Sequence, residues 1–144
     1  MTTSRIIILS TLAPASAAAL TGCAIADSLQ NEKASEFSSS ADLVADWEKS
    51  APWLPEDATG IRIRETPDAA PATLLATSST ALDPAVCIET ERLSGPTFAL
   101  DGAPSPYTDS AFACGEWTVI PTDDGWYGWT PNHPDEQAAA ENLG

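Results

Sequence analysis

The sequence predicts a small α+β domain, a mainly antiparallel sheet with one or two short helices, and three local patterns predict it. Ile61-Arg62-Ile63-Arg64-Glu65-Thr66 alternates apolar and polar residues, the period of a strand with one buried face. Residues 116–120 (EWTVI) and 125–130 (GWYGWT) are aromatic, β-branched runs flanking Pro121-Thr122-Asp123-Asp124. An Asp-Gly pair between two such runs is a strong hairpin signal. Residues 41–49 put Leu43, Val44 and Trp47 on one face of a helix.

The elements follow in order. Ser40 is the expected cap of the first helix, whose acids lie early and whose Lys49 lies late, as the helix dipole prefers; Pro52 and Pro55 stop it. Residues 61–66 are the first strand, Pro67-Asp68 begins a turn, and residues 72–79 form a second strand antiparallel to the first. Asp83 and Pro84 suit the cap and first turn of a helix over 82–89, where proline is tolerated. The stretch 95–112 is Pro-rich and irregular, with a strand expected at 97–100. In the hairpin, Pro121 argues that its strand lies at an edge or ends there. Gly128 is read as permitting close approach of another backbone, or as a bulge. Residues 41–133 are thus expected to be the folded domain and the acidic, Ala-rich residues 134–144 a disordered tail.

Composition sets the outer bounds. A chain of 144 residues accommodates one domain, and 43% hydrophobic residues are too many for a wholly disordered acidic chain. Six Lys and Arg stand against 21 Asp and Glu, a net charge of −15, so nucleic acid is excluded as a partner for want of clustered cations.

The N-terminus is more specific. Arg5 precedes an uncharged run from Ile6 to Leu20 that is shorter than the roughly 20 residues of a membrane-spanning helix, and Pro14 interrupts it. A positive start and a short apolar run have the form of an export signal. The run ends in Leu20-Thr21-Gly22-Cys23, which resembles the lipobox of bacterial lipoproteins, an aliphatic residue and two small ones before an obligatory Cys. The resemblance implies a signal peptide over 1–22, cleavage between Gly22 and Cys23, and a diacylglyceryl group (palmitate-type chains) on the Cys23 thiol. Two acyl chains anchor stably where one does not, since each buried methylene contributes about 0.8 kcal/mol. Residues 23–40 would then be the lipidated Cys and a flexible tether, and the expected location is the extracytoplasmic face of the cell membrane. The domain also has the general look of small uncharacterised lipoproteins of high-GC Gram-positive bacteria, a resemblance that implies no particular activity.

Setting Cys23 aside leaves Cys87 and Cys114, an even pair in a chain bound for oxidising surroundings, and a structural disulfide is expected between them. Closing that loop would stabilise the fold by roughly 3.5 kcal/mol on the chain-entropy model.

Catalytic signals are poor. There is no G-x-S-x-G elbow, and the single His, His133, lies in Pro131-Asn132-His133-Pro134 where it is expected to be a solvent-exposed turn residue. The carboxylate pairs Glu56-Asp57, Asp123-Asp124 and Asp135-Glu136 read as solvated surface charge. Asp123-Asp124-Gly125 suggests calcium but lacks the loop spacing such a site needs. No cofactor, no metal and no enzymatic activity are expected. The aromatics Trp117, Trp126, Tyr127 and Trp129 crowd one hairpin. Trp126, Tyr127 and Trp129 are candidate ligand-binding residues if exposed together, and core residues if buried. The expected function is a non-enzymatic interaction or structural module of the cell envelope, partnered by the membrane and by an envelope protein or glycan. The alternative is a glycan- or small-solute-binding module that uses the aromatic hairpin.

Overall fold

The computed structural model describes residues 31–143. Seven strands form one antiparallel sheet: β1 (Lys33–Ser39), β2 (Thr59–Glu65), β3 (Ala72–Thr77), β4 (Ile88–Glu91), β5 (Ser110–Cys114), β6 (Trp117–Pro121) and β7 (Gly125–Thr130). Two short helices, α1 (Ser40–Asp46) and α2 (Pro134–Glu141), complete the domain, and Cys87 is bonded to Cys114. The fold is the expected small α+β domain with one disulfide.

The sheet order is β1-β2-β3-β7-β6-β5-β4. Two meanders, β1 to β3 and β4 to β7, meet where β3 pairs with β7. The chain therefore leaves the middle of the sheet after β3 and re-enters at the far edge in β4, then works back. Residues 78–87 make that crossing, and the long segment 92–109 joins β4 to β5 without any regular element.

The most strongly patterned segments form as expected. Ile61 and Ile63 of β2 are buried while Arg62 and Arg64 are half-buried on the other side, and the β2–β3 turn opens at Pro67. The β6–β7 hairpin also forms, with a difference in its turn. Thr122 N–H donates to Gly125 O at 2.9 Å, so Asp123 and Asp124 are the two turn residues and Gly125 begins β7. Gly125 is required there for space: a Cβ would lie 2.0 Å from the Ala76 carbonyl oxygen. Pro121 ends its strand, and β6 itself is interior, between β5 and β7. Gly115, at φ +62°, occupies the first turn position between Cys114 and Trp117, where a primed two-residue turn needs positive φ.

Five expectations are corrected. Residues 33–39, expected within the tether, form edge strand β1, with Phe37 opposite Ile61 and Ser35 opposite Ile63. Its one large apolar residue gives little pattern of its own, and pairing with β2 supplies the order. Helix α1 is capped by Ser39, whose Oγ accepts from Asp42 N–H, and it stops at Asp46; Val44 points outward at 82% exposure while Leu43 and Trp47 are buried. The helix expected over 82–89 is a single turn, in which the Asp83 carbonyl accepts from Val86 and Cys87 N–H. The disulfide at Cys87 and the pairing of Ile88–Glu91 with β5 then draw the chain into β4. No strand forms at 97–100. The expected tail holds α2, which starts at Pro134 in the N1 position, with Asp135 and Glu136 in its first turn.

The two faces of the sheet are covered differently. On the first, α1 and residues 47–58 pack Leu43, Trp47, Trp53 and Ala58 onto Ile61, Ile63, Leu74, Trp117 and Val119. On the second, residues 92–109 and α2 lie over Leu75, Ala111, Ile120, Tyr127 and Trp129, with Leu100 and Ala103 packed against that group.

Candidate functional site

Alternation along β7 separates the hairpin aromatics. Trp126 faces the first side with Gly128, while Tyr127 and Trp129 face the second. Tyr127 and Trp129 are buried and pack edge-to-face at 5.7 Å. Trp126 is half-buried, packs edge-on against Phe112 at 6.0 Å, and donates its Nε1–H to Thr80 O at 2.9 Å. Trp126, Tyr127 and Trp129 therefore form no shared ligand-binding patch. Tyr127 and Trp129 are core residues and Trp126 packs at the margin of the first-face core, because both faces of this sheet have a cover to pack against.

Trp117 belongs to an indole cluster on the first face, with Trp47 at 6.2 Å and Trp53 at 5.7 Å, and its Nε1–H donates to Ser50 O. Gly128 admits that cluster. A Cβ there would lie 2.6 Å from Trp53 Cζ2 and 3.3 Å from Trp117 Cε3, so a ring, rather than another backbone, needs the space.

The expected disulfide joins Cys87, just before β4, to Cys114 at the end of β5, with Cα atoms 4.2 Å apart. It lies at the end of the β4–β5 pair away from the 92–109 segment, whose base is closed by the pairing of Glu91 with Ser110 and by Arg92 N–H donating to Asp109 O. Gly22 and Cys23, the expected cleavage and lipidation positions, lie outside the described residues.

The carboxylate pairs separate in role. Asp123 and Asp124 are exposed at the hairpin tip. Asp57 accepts from Ser78 Oγ–H at 2.5 Å and from Ser79 N–H at 3.1 Å, and the Ser78 bond above all holds its pKa below the ordinary 3.8. It ties the entry to β2 to the exit from β3. Among the described residues no three His, Cys, Asp or Glu side chains gather as a metal site would require. His133 is exposed, as expected, and caps α2: its Nδ1 accepts from Asp135 N–H while Glu136 reaches back to its own N–H.

Glu136 is the residue that sequence reasoning missed. Read as a solvated tail acid, it is 0% exposed. Its carboxylate accepts from Leu93 N–H at 2.9 Å, Ser94 Oγ–H at 2.5 Å and His133 N–H at 2.8 Å. Ser94 Oγ in turn accepts from Trp129 Nε1–H at 2.9 Å. Burial alone would raise the Glu136 pKa, but these donors outweigh it and hold the carboxyl below the ordinary 4.5. Pro134 at a helix start, followed by two acids, was the one available signal. An anion with its oxygens committed to three donors is a fastener for the irregular segment, and it is poorly suited to moving protons near neutral pH.

A second fastener lies at the opposite edge. Lys49 pairs with the buried Glu65 at 3.1 Å and donates to the carbonyls of Thr66 and Ala69 at 2.8 Å each, binding the β2–β3 turn to the segment after α1. Comparison with known proteins finds no matching family model, no similar curated protein and no similar solved structure.

Proposed function

We propose that this protein is an exported, lipid-anchored component of the bacterial cell envelope, held at the extracytoplasmic face of the membrane by a diacylglyceryl group on Cys23. It acts there as a non-enzymatic interaction or structural module. The observation that carries this reading is the division of the three cysteines. Cys87 and Cys114 are bonded to each other inside the domain, which suits an oxidising compartment, and the third is Cys23 of the lipobox-like Leu20-Thr21-Gly22-Cys23.

β1 begins at Lys33, so the chain from Cys23 reaches at most about 35 Å to the sheet. The tether joins at the end of the sheet that bears Lys33 and the β2–β3 turn.

The test is metabolic labelling with an alkyne-bearing palmitate analogue in a bacterial host. Label incorporated into the wild-type chain and lost in Cys23→Ser supports the anchor. An unlabelled wild-type chain in the membrane fraction overturns it.

A further inference from the structure

The 92–109 segment does not lie flat on the second face. Between it and the sheet is an open groove of about 430 Å³, a volume within the range of small-molecule sites. Phe98, Leu100 and Pro104 supply apolar walls, and Tyr127 of β7 contributes to the floor. At its side the Arg92 guanidinium lies 5.8 Å from the centre of the Tyr107 ring, and Tyr107 is 85% exposed.

Two polar groups at this groove have unspent capacity. Arg92 donates through Nε to Thr108 O and through one Nη1 hydrogen to Ser94 O, at 2.8 and 2.6 Å. That fixes the guanidinium and leaves the Nη2 hydrogens without an acceptor among the described residues. No carboxylate pairs with it among those residues, in a chain with 21 acids. Tyr127 is 98% buried by its 2% exposure, yet its hydroxyl is not sealed off and makes no hydrogen bond among the described residues. Burial raises its pKa, so the hydroxyl remains a donor at neutral pH. A cation already oriented by backbone carbonyls, a buried hydroxyl without an acceptor and apolar walls are the parts of a site with few but placed polar groups.

We propose that the groove binds a small apolar anion, a carboxylate or sulfonate on an aromatic or aliphatic body. Its charged oxygens meet Arg92 and the Tyr127 hydroxyl, and its body lies against Phe98 and Leu100. Arg92 selects for the charge and Tyr127 for an acceptor oxygen. The site is independent of the anchor, and its failure would leave the envelope reading intact.

The probe is naphthalene-1-sulfonate, titrated against the full chain carrying Cys23→Ser, so that no acyl chains compete for it, and followed by NMR at the Leu100 and Ala103 methyls. One saturable site is expected with a Kd on the order of 1 mM or tighter for a ligand of this size. The uncharged 1-naphthalenemethanol should bind about fivefold more weakly, as should the sulfonate to Arg92→Gln. Tyr127→Phe removes only an oxygen from a packed ring, keeps the fold, and should also cost about fivefold. Lys33→Gln, which removes a cation from edge strand β1 away from the groove, should change nothing. No saturation by about 10 mM, or equal affinity for wild type, Arg92→Gln and Tyr127→Phe, overturns the proposal.

Discussion

On one side of the sheet the cover is α1 and a cluster of indoles. On the other it is the 92–109 segment, which has no regular element and is held by polar contacts: the Glu136 carboxylate on Leu93 and Ser94, the Trp129 indole N–H on Ser94 Oγ and the Arg64 guanidinium on Ala99 O. The first side relies on apolar area: Trp47, Trp53 and Trp117 meet edge-to-face and tilted, and the packing depends on Gly128 having no side chain. The second side has less apolar cover, and an irregular segment brings backbone N–H groups into the interior without a ladder to satisfy them. Glu136 accepts from one of these, Leu93 N–H, from the Ser94 hydroxyl, and from His133 N–H at the start of its own helix. A regular element satisfies its own backbone, whereas an irregular cover must be given acceptors, and in this protein the acceptor is an ionised side chain on a helix more than 40 residues further along the chain.

Glu136→Leu should cost about 3–5 kcal/mol, because three partly buried donors lose a charged, fully buried acceptor at once. Denaturant melts measure the loss. Hydrogen exchange should rise across 92–109 while the fluorescence of the indole cluster stays native-like; loss of both together would mean that the faces do not fasten separately. Next is the disulfide. Replacing Cys87 and Cys114 by Ala should cost about 3.5 kcal/mol in the same melts, since it removes the closure of a 27-residue loop in the unfolded chain.

On the indole side, Gly128→Ala should cost about 1–3 kcal/mol, as its Cβ must displace the Trp53 ring. In a Trp53→Leu background the added cost should shrink, and a double-mutant cycle reads the coupling. The smallest effect is in acid. The folded-state pKa of Glu136 is depressed, so its contribution is complete above the ordinary value of 4.5 and is lost as pH falls through the folded value. Asp57, also depressed, acts in the same direction. Stability should therefore fall as the medium is acidified below about pH 4.5, with a shallower slope in Glu136→Gln.

What could be read from the sequence follows the same division. β2, β3 and the β6–β7 hairpin were legible because their residues alternate or cluster strongly enough to imply a buried face. β1 and β4 were not, because KASEFSS and IETE are edge strands whose order comes from their neighbours. Helix α2 has no apolar stripe to reveal it; the side chain it buries is Glu136. The disulfide was legible from cysteine count alone. Whether Tyr127 and Trp129 were exposed depended on the cover of the second face, and nothing in 92–109 announces that it is a cover. The groove beside Arg92 was hidden for the same reason.

The most direct measurement is the intact mass of the protein from the membrane fraction, before and after reduction. A chain beginning at Cys23 and carrying a diacylglyceryl group, heavier by two hydrogens on reduction of the Cys87–Cys114 bond, is the expected result. A chain that retains residues 1–22, bears no lipid and does not change mass on reduction would contradict both the anchor and the compartment.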